Sequence, residues 1–326
     1  MKHLEDFLKP TQGELFSRLC KMFPTALTNR GSYILVPGEA PVMLVAHLDT
    51  VHTQPVRQIC KTANGNVLMS PQGIGGDDRC GVYALVTAHS RSSKRPWLLF
   101  TCDEETGGVG AGKFCKDYRA DWLPRELGKL KMLIEIDRKG RNDAVYYGCC
   151  NTDFEQYISE KGFTTQHGSF SDISLIAPTL GVAAVNLSSG YFNAHTLHEY
   201  INRKYLNLTI KRVVEIIEEA TNEDFPAYSY IEKEKDVWWG AGMLWERDSQ
   251  DDVLEYVPEE IRYEYETLLD LYNPEELEAA RAEYGDWAIR SMYESEFGGY
   301  YADIPTPDEL EDDAPDICIR LKGDRK

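Results

Sequence analysis

Five short segments of this 326-residue sequence carry side chains that could hold divalent cations and move protons. His47-Leu48-Asp49-Thr50-Val51 offers an imidazole and, two residues on, a carboxylate on the same side of an extended chain, placed to orient the ring. A histidine packed beside a strand for structural reasons is the alternative. Gly75-Gly76-Asp77-Asp78-Arg79-Cys80-Gly81 lets backbone approach closely, with Asp77 just ahead of a helix, where an acid is also a common N-cap. Asp103-Glu104-Glu105-Thr106-Gly107-Gly108 follows an apolar run. Adjacent carboxylates at the end of a buried strand are costly without a counter-charge. A cation supplies one, and two neighbouring acids can divide the work of ligand and base; an exposed acidic turn is the alternative. In Ile134-Glu135-Ile136-Asp137, alternation puts both acids on one face, where either could serve or could pair with Arg138 or Lys139. Gly190–Tyr200 holds His195 and His198, three apart, so one imidazole could enter a site while the other lies beside it. Surface or capping roles are their alternative.

The elements that must position these residues are legible as alternating apolar runs and helical stretches. Val42–Ala46, Trp97–Phe100, Met132–Ile136 and Val182–Val185 are short, nearly continuous apolar runs, as in strands buried on both faces. Helical patterns fall at Asp78–His89, Gly110–Tyr118, Thr152–Glu160, Asp172–Ile176 and Tyr205–Ala220. The alternation predicts an α/β three-layer αβα sandwich with a mostly parallel mixed central sheet. In such folds sites form at the carboxyl ends of strands, where the five segments fall.

The net charge of −19 is unevenly spread. Residues 221–326 hold 30 acidic and 10 basic side chains, whereas residues 1–220 hold 24 and 25. That balance disfavours nucleic acid as a partner. The longest apolar runs fall well short of the roughly 18–20 residues of a membrane helix, and no basic start leads into an apolar stretch, so neither a membrane nor a secretory route is expected. Eight scattered cysteines, with no pair at structural-zinc spacing, read as reduced thiols of a cytoplasmic protein. Residues 1–220 are expected to form the catalytic domain. Residues 221–326 read as an acidic, aromatic-containing, mainly helical C-terminal extension. It has helices over Pro258–Tyr272 and from Asn273-Pro274 to about Tyr293, and a poorly ordered tail around Pro305–Pro315.

The order of the motifs is more specific than any one of them. His-x-Asp-Thr-Val, Gly-x-Asp-Asp-Arg-x-Gly, Asp-Glu-Glu, a strand-end Asp and Asn-x-His-x-x-x-Glu together resemble the di-zinc exopeptidase clan. That clan includes peptidase T, carboxypeptidase G and the tetrahedral aminopeptidases, and the resemblance spans about residues 42–200. It implies that Asp77 bridges two zinc ions, with His47 and Asp137 completing one shell and Glu105 and His195 the other. Glu104 would be the general base acting on a water between the metals, and Asp49 would orient His47. Glu135 is the rival to Asp137, and His198 to His195. Asp172 falls where relatives carry a short Ser/Thr-Asp element, and a helix cap explains it equally. The 57 residues between Asp137 and His195 are too few for the lid or dimerisation insert of several relatives. The outline is that of a catalytic domain alone.

The expected activity is zinc-dependent hydrolysis of a peptide or amide bond, with a small peptide or acylated amino acid as substrate. Cobalt or manganese would fit the same nitrogen and oxygen donors. The alternative is a non-catalytic metal-binding or interaction protein, its acidic C-terminal region recruiting a protein partner.

Overall fold

In the computed structural model, residues 3–29, 31–233, 261–269, 277–278, 280–281 and 285–297 are described. The chain divides into two compact units, Met1–Val237 and Trp238–Lys326.

The first unit opens with helices α1 (Glu5–Leu8) and α2 (Gln12–Met22), the latter started by a reciprocal capping box between Thr11 and Glu14. Strands β1 (Leu27–Asn29), β2 (Tyr33–Val36) and β3 (Val42–His47) follow, then β4 (Cys60–Lys61) and β5 (Val67–Met69). Helix α3 (Gly76–Arg91) leads to β6 (Trp97–Thr101), and α4 (Val109–Arg119) to β7 (Met132–Arg138) and β8 (Asp143–Val145). Helix α5 (Thr152–Glu160), β9 (Thr164–Thr165), α6 (Asp172–Leu180), β10 (Ala184–Ser188), the pair β11 (Tyr191–Phe192) and β12 (Tyr200–Asn202), and α7 (Arg203–Ala220) complete it.

The main sheet runs β1-β2-β6-β3-β7-β10-β8-β9. The central strands β6, β3, β7 and β10 are parallel, and antiparallel pairs flank them. Alternation divides their side chains between two cores. Val42, Leu44 and Ala46 of β3, with Ile134 of β7, join one core that includes Val82 and Leu85 of α3 and Ile210 and Val213 of α7. Met43 and Val45 of β3, with Leu133 of β7, join the other, with Phe114 of α4 and Ile176 of α6. Helices therefore cover both faces, which is why the central strands are apolar throughout. The expected α/β sandwich with a mostly parallel mixed sheet is the observed fold.

Two features differ from expectation in extent. Helix α6 runs past Ile176 and through Pro178 to end at Gly181, whose φ is +69°. Burial of Ile176, Ala177 and Leu180 on the sheet offsets the hydrogen bond that the proline cannot donate. A second, antiparallel sheet, β11-β12-β5-β4, has strands of two or three residues, too short for any periodicity to show in sequence.

In the second unit, helix α8 (Arg262–Leu268) falls within the first stretch expected to be helical, whereas α9 (Asp286–Phe297) starts inside the second and runs four residues past Tyr293. Ile261, Tyr265, Leu268, Leu277 and Ile289 form its apolar cluster. The start signal at Asn273-Pro274 and the tail at Pro305–Pro315 lie outside the described residues. Among the described residues no helix is long and apolar enough to cross a membrane. Cys20, Cys60, Cys80, Cys102, Cys115, Cys149 and Cys150 are free thiols.

At Gly81, α3 passes close against the backbone of β7. A Cβ there would lie 2.2 Å from the Ile136 carbonyl oxygen and 2.4 Å from Oδ1 of Asp78. Gly81→Ala is expected to destabilise the protein by about 1–3 kcal/mol, read from urea unfolding midpoints, because backbone must move to relieve the overlap.

Candidate metal centre

Strand register assembles the first half of the site. His47 closes β3 beside Thr101 of β6, and Val45 pairs with Glu135 two residues before Asp137. The His47 ring is 1% exposed. Its Nδ1 is 3.3 Å from Oδ1 of Asp49, and its Nε2 is 3.2 Å from Oδ1 of Asp77 and 3.5 Å from Oδ1 of Asp137. The second half uses the other oxygen of Asp77. Oδ2 of Asp77 is 3.3 Å from Nε2 of His195, which is 3.2 Å from Oε2 of Glu105. One carboxylate thus faces two imidazoles, each with a further acid beside it. His47, Asp77 and Asp137 bring ligand atoms within 4.8 Å of one another, as do Asp77, Glu105 and His195.

The helix start explains why Asp77 is available. The N-cap task expected of it falls to its neighbour, since Oδ1 of Asp78 accepts the Gly81 N–H at 2.9 Å. Oδ2 of Asp78 accepts the His47 N–H at 3.2 Å and ties the helix start to the strand end. Asp77 itself has non-helical φ and ψ of −79° and 106°, so its side chain is free to point at the imidazoles.

Asp49 holds two of the candidate segments together. Beyond His47, its carboxylate accepts the N–H groups of Glu104 at 3.2 Å and Glu105 at 3.0 Å. The acidic loop is anchored at its start by Asp103, which accepts from Nε2 of Gln12 at 2.9 Å. Asp103, Asn193 and His195 all have positive φ, of 58°, 56° and 64°. Non-glycine residues are uncommon in that region, and here they flank or bear candidate ligands.

Asp137 and Glu135 share a face but occupy different levels. The Asp137 N–H donates to Oδ1 of Asn186 at 2.9 Å, and the Tyr191 hydroxyl donates to its carbonyl at 3.1 Å. Glu135 is fully buried, accepts the Ser171 hydroxyl, and does not reach His47. Asp172 does not cap its own helix, because Ser171 does, and its carboxylate accepts the hydroxyl of Thr101. His198 is exposed and belongs to neither group. Sequence reasoning gave no role to Glu199 or to His52, yet Glu199 is fully buried, with His52 Nε2 2.8 Å from its Oε2. The Glu199 signal was present as the last residue of the Asn-x-His-x-x-x-Glu pattern.

The electrostatics reflect crowded acids. Burial raises the carboxyl of Asp137 to about 7, with Asp77 adding to the effect. Burial likewise raises Glu104 to about 9, where the pull of His47 is outweighed by Asp137, Asp172 and Glu105. Asp78 and Glu135 are pushed well above the carboxylate range by burial and by neighbouring acids. Asp77 goes the other way, because both imidazoles outweigh its burial. Hydrogen bonds to Asp77 and Glu105 lift His195 to about 11. Burial opposes the proton on His47, but Asp137, Asp49 and Asp77 overcome it and raise the ring well above its ordinary value.

This is a site short of positive charge, and divalent cations fit it. Oε1 of Glu105 is buried with no hydrogen-bond partner, as are Oε1 of Glu135 and Oδ1 of Asp172. The donor set of imidazole nitrogen and carboxylate oxygen suits zinc, cobalt or manganese.

No protein-family model matches the chain, and no curated protein matches it in sequence. Solved structures do match in fold. Aminopeptidase PepT of Bacillus cereus shares 16% identity over 67% of this chain and 97% of its own, with a TM-score of 0.51. A tripeptidase of Staphylococcus aureus shares 15% over 67% and 96%, with a TM-score of 0.50. An aminopeptidase of the archaeon Desulfurococcus kamchatkensis shares 14% over 67% and 94%, with a TM-score of 0.51. At such identities the likeness is one of fold.

Two outcomes follow from the geometry. His195→Ala is expected to lose part of the metal the protein binds and His198→Ala none, read by elemental mass spectrometry; the reverse pattern would exchange their roles. Both candidate imidazoles hold protons above their ordinary range in the metal-free protein, so a cation must displace them. Affinity should therefore rise with pH until about 11, the value to which His195 is lifted. Calorimetry in buffers of different ionisation enthalpy should register proton release.

Proposed function

We propose that this chain is a metal-dependent hydrolase of peptide or amide bonds, acting at the end of a small peptide or on an acylated amino acid. The observation that carries the reading is the Asp77 carboxylate, whose two oxygens face His47 and His195 separately. In this reading His47, Asp77 and Asp137 would hold one zinc ion and Asp77, Glu105 and His195 a second. Cobalt or manganese would serve the same ligands. Bound there, the ions supply a polarised scissile carbonyl and an acidified water.

The protein's own groups do the rest. Burial raises the Glu104 carboxyl to about 9 in the metal-free protein, and cations beside it would lower it to where the ionised carboxylate can act as base. It takes a proton from the attacking water and returns it to the leaving nitrogen. Asp49 keeps His47 in one tautomer and, through the Glu104 and Glu105 amides, fixes the base relative to the ligands. The similarity in fold to solved aminopeptidases supports an exopeptidase. The acidic second unit would be the place for a protein partner.

The test combines metal content and turnover. Wild type is expected to bind about two ions, both lost in Asp77→Ala. Glu104→Gln should keep its metal yet lose hydrolysis of short peptides by about 10²–10⁴-fold. A wild type that binds no zinc, cobalt or manganese would sink the proposal, and full activity in Glu104→Gln would remove that residue from the base role.

A further inference from the structure

Glu199 is a carboxylate at the foot of the β11–β12 hairpin, four residues after His195, and it is completely buried. Among the described residues no arginine or lysine forms an ion pair with it. Its Oε1 accepts the N–H of Asp77 at 2.9 Å. Its Oε2 accepts the N–H of Gly75 at 2.9 Å and faces Nε2 of His52 at 2.8 Å. A carboxylate can only accept, so His52 presents a protonated Nε2. Both oxygens are thus used, by donors from two other loops.

The surroundings are shaped to this arrangement. At Gly76 a Cβ would lie 3.0 Å from Oε1 of Glu199 and 2.7 Å from Cβ of Tyr191, so only glycine lets the hairpin seat. At Gly73, with φ of +78°, a Cβ would lie 2.2 Å from Nδ1 of His52, so that ring lies directly on the loop backbone. Glu199 therefore binds three connections at one point: the segment after β3, the turn before α3, and the hairpin.

We propose that Glu199 is a positioning residue, with His52 as its anchor, that sets the spacing between Asp77 and His195 and so couples the two halves of the metal site. The inference rests on the metal-binding reading above. Holding the Asp77 amide on one oxygen fixes where that residue's backbone stands, and the hairpin that supplies this oxygen also supplies His195. The 3.3 Å approach of Asp77 to His195 is then set by a covalent link of four residues and one hydrogen bond. A glutamine cannot replace the carboxylate, because its NH₂ would face an amide N–H on one side. The desolvated amide left unpaired would shift away from the site.

The test uses the full-length protein, cobalt(II) as probe and chelator competition as readout, with no need for turnover. Glu199→Gln is expected to hold cobalt about 10–100-fold more weakly, while the metal-free protein melts near the wild-type temperature. Amide exchange at Gly75 and Asp77 in the metal-free protein should quicken in that variant. His52→Ala, at a partly accessible position, should weaken retention in the same direction, and His52→Gln, whose amide can still donate, should restore it. Wild-type affinity in Glu199→Gln overturns the proposal. So does a loss of affinity in both Glu199→Gln and His52→Ala that is matched by collapse of metal-free stability, which would make the contact a fold contact alone. A wild type that binds no cobalt removes this inference together with the functional reading, whereas normal wild-type binding with an indifferent Glu199→Gln removes this inference only.

Discussion

The constraint on which the rest of the structure depends is the burial of one carboxylate between two imidazoles. Asp77 is 8% exposed and shares its two oxygens between His47 and His195, with Asp137 and Glu105 beyond them. Gathering acids at the ends of apolar strands is expensive, and the molecule meets the expense in two ways. Some acids accept backbone hydrogen bonds on both oxygens, as at Asp49 and Asp78. Others, as at Glu105 and Asp172, keep a buried oxygen with no hydrogen-bond partner, which a cation would satisfy.

The scaffold makes that gathering possible. Parallel strands β3, β6 and β7 end on one edge of the sheet, so His47, the acidic loop and Asp137 arrive together without long connections. Helix α3 adds Asp77 from a glycine-rich start, with Asp78 taking the capping duty that would otherwise occupy it. The small antiparallel sheet brings in His195, the last of the candidate ligands. Its strands β12 and β5 pair at Ile201 and Leu68, docking the His195 hairpin against the connection that leads to Asp77.

Much of this was legible in the residues. The apolar runs give the central strands because burial on both faces demands unbroken hydrophobicity, and the ends of those runs locate the acids. The choice between Asp137 and Glu135 was not decided by alternation, since both lie on one face; depth decides it, with Glu135 a level lower against Ser171. The N-cap question at Asp77 was undecidable in sequence because two adjacent aspartates could exchange tasks. The second sheet escaped notice because strands of two or three residues carry no period. Glu199 stood in plain view within a motif, but its partners are two backbone amides and a distant histidine, and backbone donors leave no trace in a sequence.

The two imidazoles differ sharply in their access to water: His47 is 1% exposed at the floor, whereas the His195 side chain is 57% exposed near the tip of a hairpin. A pair of ions seated here would not be equivalent residents. The imidazole that the inner ion would meet is shut in among the strand ends, whereas the one the outer ion would meet stands open to the medium. The two positions would then differ in how readily water and competing ligands reach them.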